Sequence, residues 1–352
     1  MPFLKQGSNE SRHLMQTLHL KDRDEDLKLA ADLLKNGELV AIPTETVYGL
    51  AADAKNGVAV KNIFKAKGRP ADNPLIVHIA HRDQLNELVA DVPPMAQTLV
   101  RAFWPGPLTM IFKKASCIPD EVSAGLDTVA VRMPSHPIAR RIIELSCPLA
   151  APSANRSGIP SPTEAARVAE DMDGRIAAVV DGGACEVGVE STVVDVTGDC
   201  VRVLRPGAVT VEMLTQVVGN VEVDEAVTHE LQAGATVSSP GMKYKHYAPN
   251  ARVVLVKGSP DAYTAYVNEH TAEGVMALCF DGEGNDLRVP FLTYGTREDH
   301  TAQAQRLFEA LRVLDEQHAT IAYTACPSPD GIGLAVYNRL LRAAGFEVIE
   351  LD

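Results

Sequence analysis

The sequence lacks long hydrophobic runs, and none of its segments approaches the ~18 consecutive apolar residues that a membrane-spanning helix needs. Its first residues, MPFLKQGSNESRH, contain no apolar core of the kind that a secretory signal requires. Cysteine is scarce: six cysteines in 352 residues form no CxxC pair, which argues against a structural zinc site and a disulfide scaffold. These absences predict a cytoplasmic protein with reduced thiols.

The chain also has too few cations for a general nucleic-acid binder. Lys and Arg number 33 against 46 Asp and Glu, a formal net charge of −13, whereas phosphate neutralisation needs clustered cations. The charge is uneven, because residues 51–150 carry 12 basic and 9 acidic side chains. An anionic ligand is therefore expected in the first half, although chance clustering of solvated side chains explains the count equally well.

Several familiar motifs are absent as well. No GxxxxGK[ST], HExxH or GxSxG sequence occurs, so a P-loop, an HExxH zinc site and a nucleophile elbow are excluded. Instead, helix-period and strand-like segments alternate along the chain. Leu27, Ala30, Ala31 and Leu34 mark an amphipathic helix, and runs such as ELVAI and LIVHI are typical of strands. This alternation predicts a layered α/β or α+β fold.

Residues 219–250 interrupt the alternation. They show no clean period and end in Pro, Gly and Ser residues, which is typical of a linker. Beyond them strands and helices alternate again, which indicates a small parallel-sheet domain of Rossmann-like type. We therefore predict a first domain over 1–218, a linker over 219–250 and a second α/β domain over 251–352.

Five polar stretches lie close to predicted strand or helix ends, where ligands commonly bind. Three of them have a simpler explanation: a capped turn for 43–50, a helix end for 65–79 and a solvent loop for 151–163. Lys65, Lys67 and Arg69 nevertheless place three cations before the rigid Pro70, which suits a triphosphate. The stretches are PTETVYGL (43–50), KAKGRPADNPLIVHI (65–79), AGLDTVAVRMP (124–134), APSANRSGIPSPT (151–163), and GVESTVVDV (188–196) paired with LRPG (204–207).

Some charged and titratable residues in these stretches have roles that depend on their partners. Arg132 lies in an otherwise apolar strand, and a buried Arg must pair either with an acid or with an anionic ligand such as a carboxylate. Glu190 and Arg205 either bridge one another or hold a metal and a phosphate, respectively. His78, inside LIVHI, is more simply explained as a core residue than as a ligand-binding one. The residues alone leave these alternatives open.

Taken in order, the motifs are far more specific than any one of them. PTETVYGL, KGRPADNPL, WPGPLT, DTVAVRMPSHP, APSAN, GVESTVVD and LRPG resemble the YrdC-like family over roughly residues 20–215. SPGMKYKHYAP (239–249) and the α/β tail resemble the long, two-domain form of that family, the L-threonylcarbamoyladenylate synthases.

The resemblance implies a fold and a reaction. The fold would be a twisted open mixed sheet with helices around a concave basic cavity, followed by a small C-terminal Rossmann-like α/β domain. The reaction would convert L-threonine, bicarbonate and ATP into L-threonylcarbamoyl-AMP and pyrophosphate, for the t6A modification of tRNA. Mg2+ is expected with ATP, held by the phosphates rather than by assigned protein ligands. A downstream tRNA threonylcarbamoyltransferase is an expected partner, whereas membrane binding and stable nucleic-acid binding are not expected.

The resemblance also assigns site residues. Lys67 and Arg69 match the triphosphate-binding positions and would carry the catalytic charge. Arg132 would take the threonine carboxylate, and Tyr247 would contact the nucleotide from a lid formed by the linker. The other nucleotide-binding positions are Asn73, Thr128, Ser153, Asn155, Ser161 and Arg205, and the other threonine-binding positions are Thr46, His78, Ala151 (through its backbone) and Ser191.

Two alternatives remain from the sequence. A carbamoyl-adenylate enzyme of hydrogenase maturation uses a similar domain, but its acylphosphatase and zinc-finger segments have no counterpart here. A non-enzymatic RNA-binding or ribosome-associated module would use the concave basic face, and the net charge of −13 opposes it.

Overall fold

The computed structural model describes residues 16–230 and 247–351. None of the helices in these ranges has the length and apolar character needed to cross a membrane. The helices are α1 (Asp24–Lys35), α2 (Gly57–Lys67), α3 (Leu85–Leu88), α4 (Pro94–Phe103), α5 (Asp120–Ser123), α6 (Pro137–Leu145), α7 (Ala165–Met172), α8 (Val211–Val218), α9 (Pro260–Glu269), α10 (His300–Glu316) and α11 (Gly333–Ala344).

The strands fall into two groups, separated by the residues that the structure does not describe. In the first group are β1 (Leu18–Lys21), β2 (Val40–Ile42), β3 (Gly49–Asp53), β4 (Ile76–His78), β5 (Leu108–Lys113), β6 (Thr128–Arg132), β7 (Leu149–Ala150), β8 (Ala178–Asp181), β9 (Thr192–Asp195), β10 (Val201–Arg205) and β11 (Val221–Val223). In the second are β12 (Arg252–Lys257), β13 (Val275–Cys279), β14 (Phe291–Thr293), β15 (Ile321–Ala325) and β16 (Val348–Glu350).

The first group forms one mixed sheet in the order β1-β8-β2-β3-β7-β4-β6-β5-β9-β10-β11. Helices cover both of its faces: Val40 joins a hydrophobic cluster with α1 and α6, whereas its neighbour Ala41 joins one with α2 and α4. Consecutive strand residues point to opposite faces, so this division is what the β2 sequence requires. The open mixed sheet that the resemblance implied is confirmed.

The strand register brings two predicted site residues together. β4 and β6 run parallel, with Ile76 opposite Ala130 and His78 opposite Arg132. Both side chains therefore lie at the carboxyl ends of adjacent strands, where ligands of open α/β sheets commonly bind. The neighbouring β7 leads directly into Ala151 and the polar loop that follows.

Helix α2 carries a third predicted residue at its carboxyl end. Asn56 caps the helix by accepting hydrogen bonds from two backbone amides of the first turn. Gly68 ends the helix in the left-handed conformation, with φ of 63°, which glycine adopts without a steric penalty. The turn leaves Lys67 buried and Arg69 half-buried beside it.

The second group of strands forms a parallel sheet in the order β14-β13-β15-β12-β16. Its core is built from fully buried side chains that include Tyr263, Tyr294 and Phe308. The predicted parallel α/β domain is confirmed. The Rossmann order is 3-2-1-4-5-6, whereas here β15 lies between β12 and β13.

The predicted linker differs from the structure in its first part. Residues 221–223 form β11, which adds to the edge of the large sheet by pairing Val201 with Val221 and Val203 with Val223. A 3-10 helix over Glu225–Val227 follows. A three-residue strand is too short to show a period, so the sequence did not reveal it. The predicted linker and lid residues 231–246 lie outside the described residues.

Candidate active site

A cavity that is partly open to solvent lies against β4, β6 and the loop after β7. Two predicted positions do not line it: Asn73 is fully buried in the loop after α2, and Thr128 is the first residue of β6, at the far end of that strand from Arg132. All other predicted site residues line it, namely Thr46, Lys67, Arg69, His78, Arg132, Ala151, Ser153, Asn155, Ser161, Ser191, Arg205 and Tyr247.

Lys67 is tied to the loop after β7. Its ammonium donates hydrogen bonds to the backbone oxygens of Ser153, at 2.5 Å, and Asn155, at 2.7 Å. Burial, and then the nearby charge of Arg69, hold the pKa of Lys67 well below its usual value. The negative charge of an arriving polyanion would offset both effects, so this lysine is suited to an anionic ligand.

Arg132, which is buried, has an acidic partner in Glu45. Its Nη2 lies 2.7 Å from Glu45 Oε1, and both side chains are at most 5% exposed. The two atoms are close but not aligned for a hydrogen bond. Burial raises the pKa of Glu45, but Arg132 outweighs it, so the carboxyl pKa lies below its usual value. Arg132 is thus neutralised while Nη2 still has hydrogens to donate.

Thr46 helps to orient this arginine. Its hydroxyl accepts from Arg132 Nη1 at 2.9 Å and lies 2.9 Å from the hydroxyl of Thr44. Tyr48, two residues further along the chain, does not line the cavity. Tyr48 instead donates to the backbone oxygen of Gly183, because its ring is fully buried in the core.

His78 is a neutral group in this site. Burial, followed by the adjacent Arg132 charge, lowers its pKa to about 3. Its Nδ1 lies 3.2 Å from the backbone oxygen of Ile76. Since the ring lines the cavity, it presents an uncharged imidazole beside the guanidinium of Arg132.

Ser191 and Arg205 form a second polar wall. Ser191 Oγ lies 2.8 Å from Thr109 Oγ1, and Arg205 donates to the backbone oxygen of Ser191 at 3.0 Å and to its hydroxyl at 3.2 Å. Arg205 is buried, which lowers its pKa. Gly207 permits this arrangement, because a Cβ there would lie 2.4 Å from the backbone nitrogen of Thr192.

Glu190 does not use Arg205 as its hydrogen-bonded ion-pair partner. One of its oxygens accepts from Ser161 at 2.5 Å, and the other lies 2.9 Å from Nε of Arg339 in α11. Burial raises the pKa of Glu190, but Arg339 and then Arg205 outweigh it and keep the pKa below its usual value. Neither Glu45 nor Arg339 stood out in the sequence. Glu45 had a signal, a lone acid inside PTETVYGL, whereas Arg339 looked like an ordinary helix cation.

Tyr247 closes one side of the cavity and joins the two domains. Its ring stacks on Phe308 of α10 with centroids 5.2 Å apart. The next residue, Ala248, donates its backbone amide to the oxygen of Gly158, at 2.9 Å, in the loop after β7. The predicted nucleotide contact therefore lies on the cavity wall.

Two family models match the chain. The model Sua5_yciO_yrdC, described as telomere recombination, matches residues 32–207. The model described as the C-terminal domain of threonylcarbamoyl-AMP synthase matches residues 209–345.

Full-length relatives share both parts. The threonylcarbamoyl-AMP synthase of Pyrococcus abyssi is 44% identical over 341 residues, covering 95% of this chain and 99% of the relative. That of Bacillus subtilis is 45% identical over 338 residues, covering 95% and 97%. A crystal structure of P. abyssi Sua5 complexed with L-threonine matches with a TM-score of 0.89 at 42% identity, covering 96% of this chain and 99% of that one.

Proposed function

The chain belongs to the Sua5/YciO/YrdC family, and on that basis we propose that it synthesises L-threonylcarbamoyl-AMP from L-threonine, bicarbonate and ATP. One observation carries the proposal beyond family membership. Four buried or half-buried cations line the cavity: Arg132, which Thr46 holds, together with Lys67, Arg69 and Arg205. An amino-acid carboxylate and a triphosphate are both anions, and together they need several cations.

The chemistry requires two steps. The amine of threonine adds CO2, which is in equilibrium with bicarbonate, to give an N-carboxylate. An oxygen of this carboxylate attacks the α-phosphorus of ATP, while the bond to the bridging oxygen breaks and pyrophosphate leaves with its electron pair. Both reactants are anions, so catalysis depends on holding them together and stabilising the charge of the transition state. No covalent enzyme intermediate is needed.

We assign Arg132 to the threonine carboxylate. Its guanidinium is held by Thr46 and neutralised by Glu45, yet Nη1 and Nη2 each keep a hydrogen that these contacts do not use, and a planar two-oxygen ligand binds donors on two nitrogens. The neutral His78 beside it adds no charge that would compete for the carboxylate. The buried Ser191 hydroxyl and the backbone of Ala151 complete the same side of the cavity.

We assign Lys67, Arg69 and Arg205 to the triphosphate. Lys67 is buried and donates hydrogen bonds to the backbone oxygens of Ser153 and Asn155, in the loop after β7. A phosphate near Lys67 would raise its pKa and fix its charge, where burial now opposes it. The same loop supplies polar groups of the kind expected around a nucleotide.

Mg2+ is proposed to enter with ATP. Among residues 16–230 and 247–351 there is no group of three His, Cys, Asp or Glu side chains placed to hold a metal ion. Glu190, the acid on the cavity wall, is engaged by Arg339 and Ser161. These observations favour a metal held by phosphate oxygens and water, as Mg2+ often is. When bound, Mg2+ would neutralise phosphate charge.

The rival functions have less support. The relatives that match 95% of this chain are named threonylcarbamoyl-AMP synthases, which favours this activity over carbamoyl-adenylate synthesis. A non-enzymatic RNA-binding module would not need a buried arginine paired with Glu45 beside a neutral histidine. Transfer of the product to a tRNA threonylcarbamoyltransferase in the cytoplasm stays a prediction.

Pyrophosphate release tests the proposal. Purified protein is incubated with ATP, Mg2+ and bicarbonate, with and without L-threonine, and with L-serine as the matched amino acid. We expect release that depends on threonine and bicarbonate together. Release without threonine, or no release, would contradict the proposal.

A further inference from the structure

Arg339 of the second domain reaches the wall of the active-site cavity. It is fully buried in α11. Its Nε donates to Glu190 Oε2 at 2.9 Å, its Nη2 to the Glu190 backbone oxygen at 3.1 Å, and its Nη1 to the Pro206 backbone oxygen at 2.8 Å. One guanidinium therefore joins the residues just before β9 to those just after β10.

Glu190 connects Arg339 to the cavity. Its Oε1 accepts the hydroxyl of Ser161 at 2.5 Å, and both residues line the cavity. The side chains of Arg339, Glu190 and Ser161 thus form a continuous chain from the second domain to a position assigned to the nucleotide. Each donor or acceptor in this chain is buried, so each is costly to leave unpaired.

The charges around Glu190 explain why a third cation is needed. Arg339 of α11 is hydrogen-bonded to it, whereas Arg205 of β10, Lys67 of α2 and Tyr247 line the same cavity, where the charge of Glu190 acts on their pKa values. Arg205 and Lys67 are the cations proposed for the triphosphate. If Arg339 were absent, the buried carboxylate would draw on those cations for its neutralisation.

We propose that Arg339 is a positioning residue for the reaction: it neutralises Glu190, so that Glu190 holds Ser161 in place without competing with ATP for Arg205 and Lys67. The inference rests on the proposed function. It gives the second domain a defined part in the active site of the first.

The test is a cycle of full-length variants: Arg339→Met, Glu190→Gln and both together. Arg339→Met is expected to raise the KM for ATP by about tenfold or more, with a smaller change in the KM for threonine. The double variant is expected to recover much of this loss, because it contains neither buried charge. Arg167→Met is the matched control: Arg167 of α7 pairs with Glu309 and Glu316 of the second domain but does not line the cavity. Its KM for ATP is expected to stay near that of the unsubstituted protein.

The pH dependence separates positioning from packing. In Arg339→Met, burial raises the pKa of Glu190 without its main opposing charge. Lowering the pH should therefore protonate Glu190, end its competition for Arg205 and lower the KM for ATP. The unsubstituted protein should lack this effect. Arg339→Lys, which keeps a charge beside Glu190, should recover most of the ATP affinity. If Arg339→Met does not fold, a folded Arg339→Lys protein whose KM for ATP rises tenfold or more would overturn the inference.

Three results would overturn the inference. They are an unchanged KM for ATP in Arg339→Met, an equal loss in the single and double variants, and an Arg339→Lys variant as impaired as Arg339→Met. If the unsubstituted protein released no pyrophosphate, the proposed function would fail instead. Calorimetric ATP affinities of the same variants would then decide this inference on their own.

Discussion

Replacing Arg132 with lysine separates threonine binding from folding. Arg132 is 3% exposed, with Nη1 2.9 Å from Thr46 Oγ1 and Nη2 2.7 Å from Glu45 Oε1. Alanine would leave Glu45 buried without its cation, which costs roughly 3–5 kcal/mol of folding free energy. Lysine keeps a positive charge near Glu45 but loses the planar pair of donors that fits a carboxylate. The lysine variant should therefore fold and still bind threonine poorly.

The expected loss follows from the contact removed. A hydrogen bond to a charged group contributes about 1.5–3 kcal/mol. Each 1.4 kcal/mol changes an equilibrium constant about tenfold, so the Kd for threonine should rise roughly 10- to 150-fold. The affinity for ATP should change much less, because the triphosphate is assigned to Lys67, Arg69 and Arg205 rather than to Arg132.

Isothermal titration calorimetry with threonine and, separately, with ATP measures both effects. Arg82→Lys is the matched control, since Arg82 donates to the backbone oxygen of Trp104 at 2.8 Å and does not line the cavity. A folded Arg132→Lys protein with unchanged threonine affinity would refute the assignment. An equal loss of ATP affinity would place Arg132 at the nucleotide instead.

Three further predictions concern the charged groups of the cavity. In steady-state kinetics, replacing Lys67 and Arg69 with alanine should reduce kcat far more than it reduces threonine affinity. A double variant that turns over at the full rate would show that these two residues are only the solvated end of a helix. ATP binding should be coupled to proton uptake in the pH range between the lowered pKa of Lys67 in the free protein and its raised pKa beside phosphate. Calorimetry in buffers of different ionisation enthalpy would detect this uptake, and its persistence in Lys67→Met would contradict the assignment. The folded pKa of His78 is about 3, below its ordinary value of 6.5, so the unfolded chain gains a proton first and stability falls as pH drops below 6.5. Between neutral and acidic pH, the free energy of unfolding measured in urea should fall less for His78→Gln than for the unsubstituted protein. Equal decreases in the two proteins would disprove the lowered pKa of His78.

The sequence predicted the site better than it predicted the contacts within it. The motifs grouped Lys67, Arg69, His78 and Arg132, and the structure places all four around one cavity. Motifs mark residue types that a ligand needs, so they group such residues without showing how far apart they lie in the fold. The same motifs assigned Thr128, which starts a strand whose other end reaches the cavity.

The contacts that the sequence missed all depend on distant partners. Arg132 was left with two explanations because Glu45, its neighbour in space, lies far away in the chain. Glu190 was weighed against Arg205, whereas its ion-pair partner is Arg339 in the other domain. β11 was read as linker because its stability comes from pairing with β10 rather than from its own pattern. Such long-range pairings leave no local signal.

Identification of the product tests the central claim most directly. The protein is incubated with ATP, Mg2+, L-threonine and 13C-labelled bicarbonate, and the mixture is analysed at once by mass spectrometry. The account predicts L-threonylcarbamoyl-AMP that carries the bicarbonate carbon, together with an equal amount of pyrophosphate. Pyrophosphate accompanied by AMP alone, or an adenylate of threonine without the labelled carbon, would contradict it.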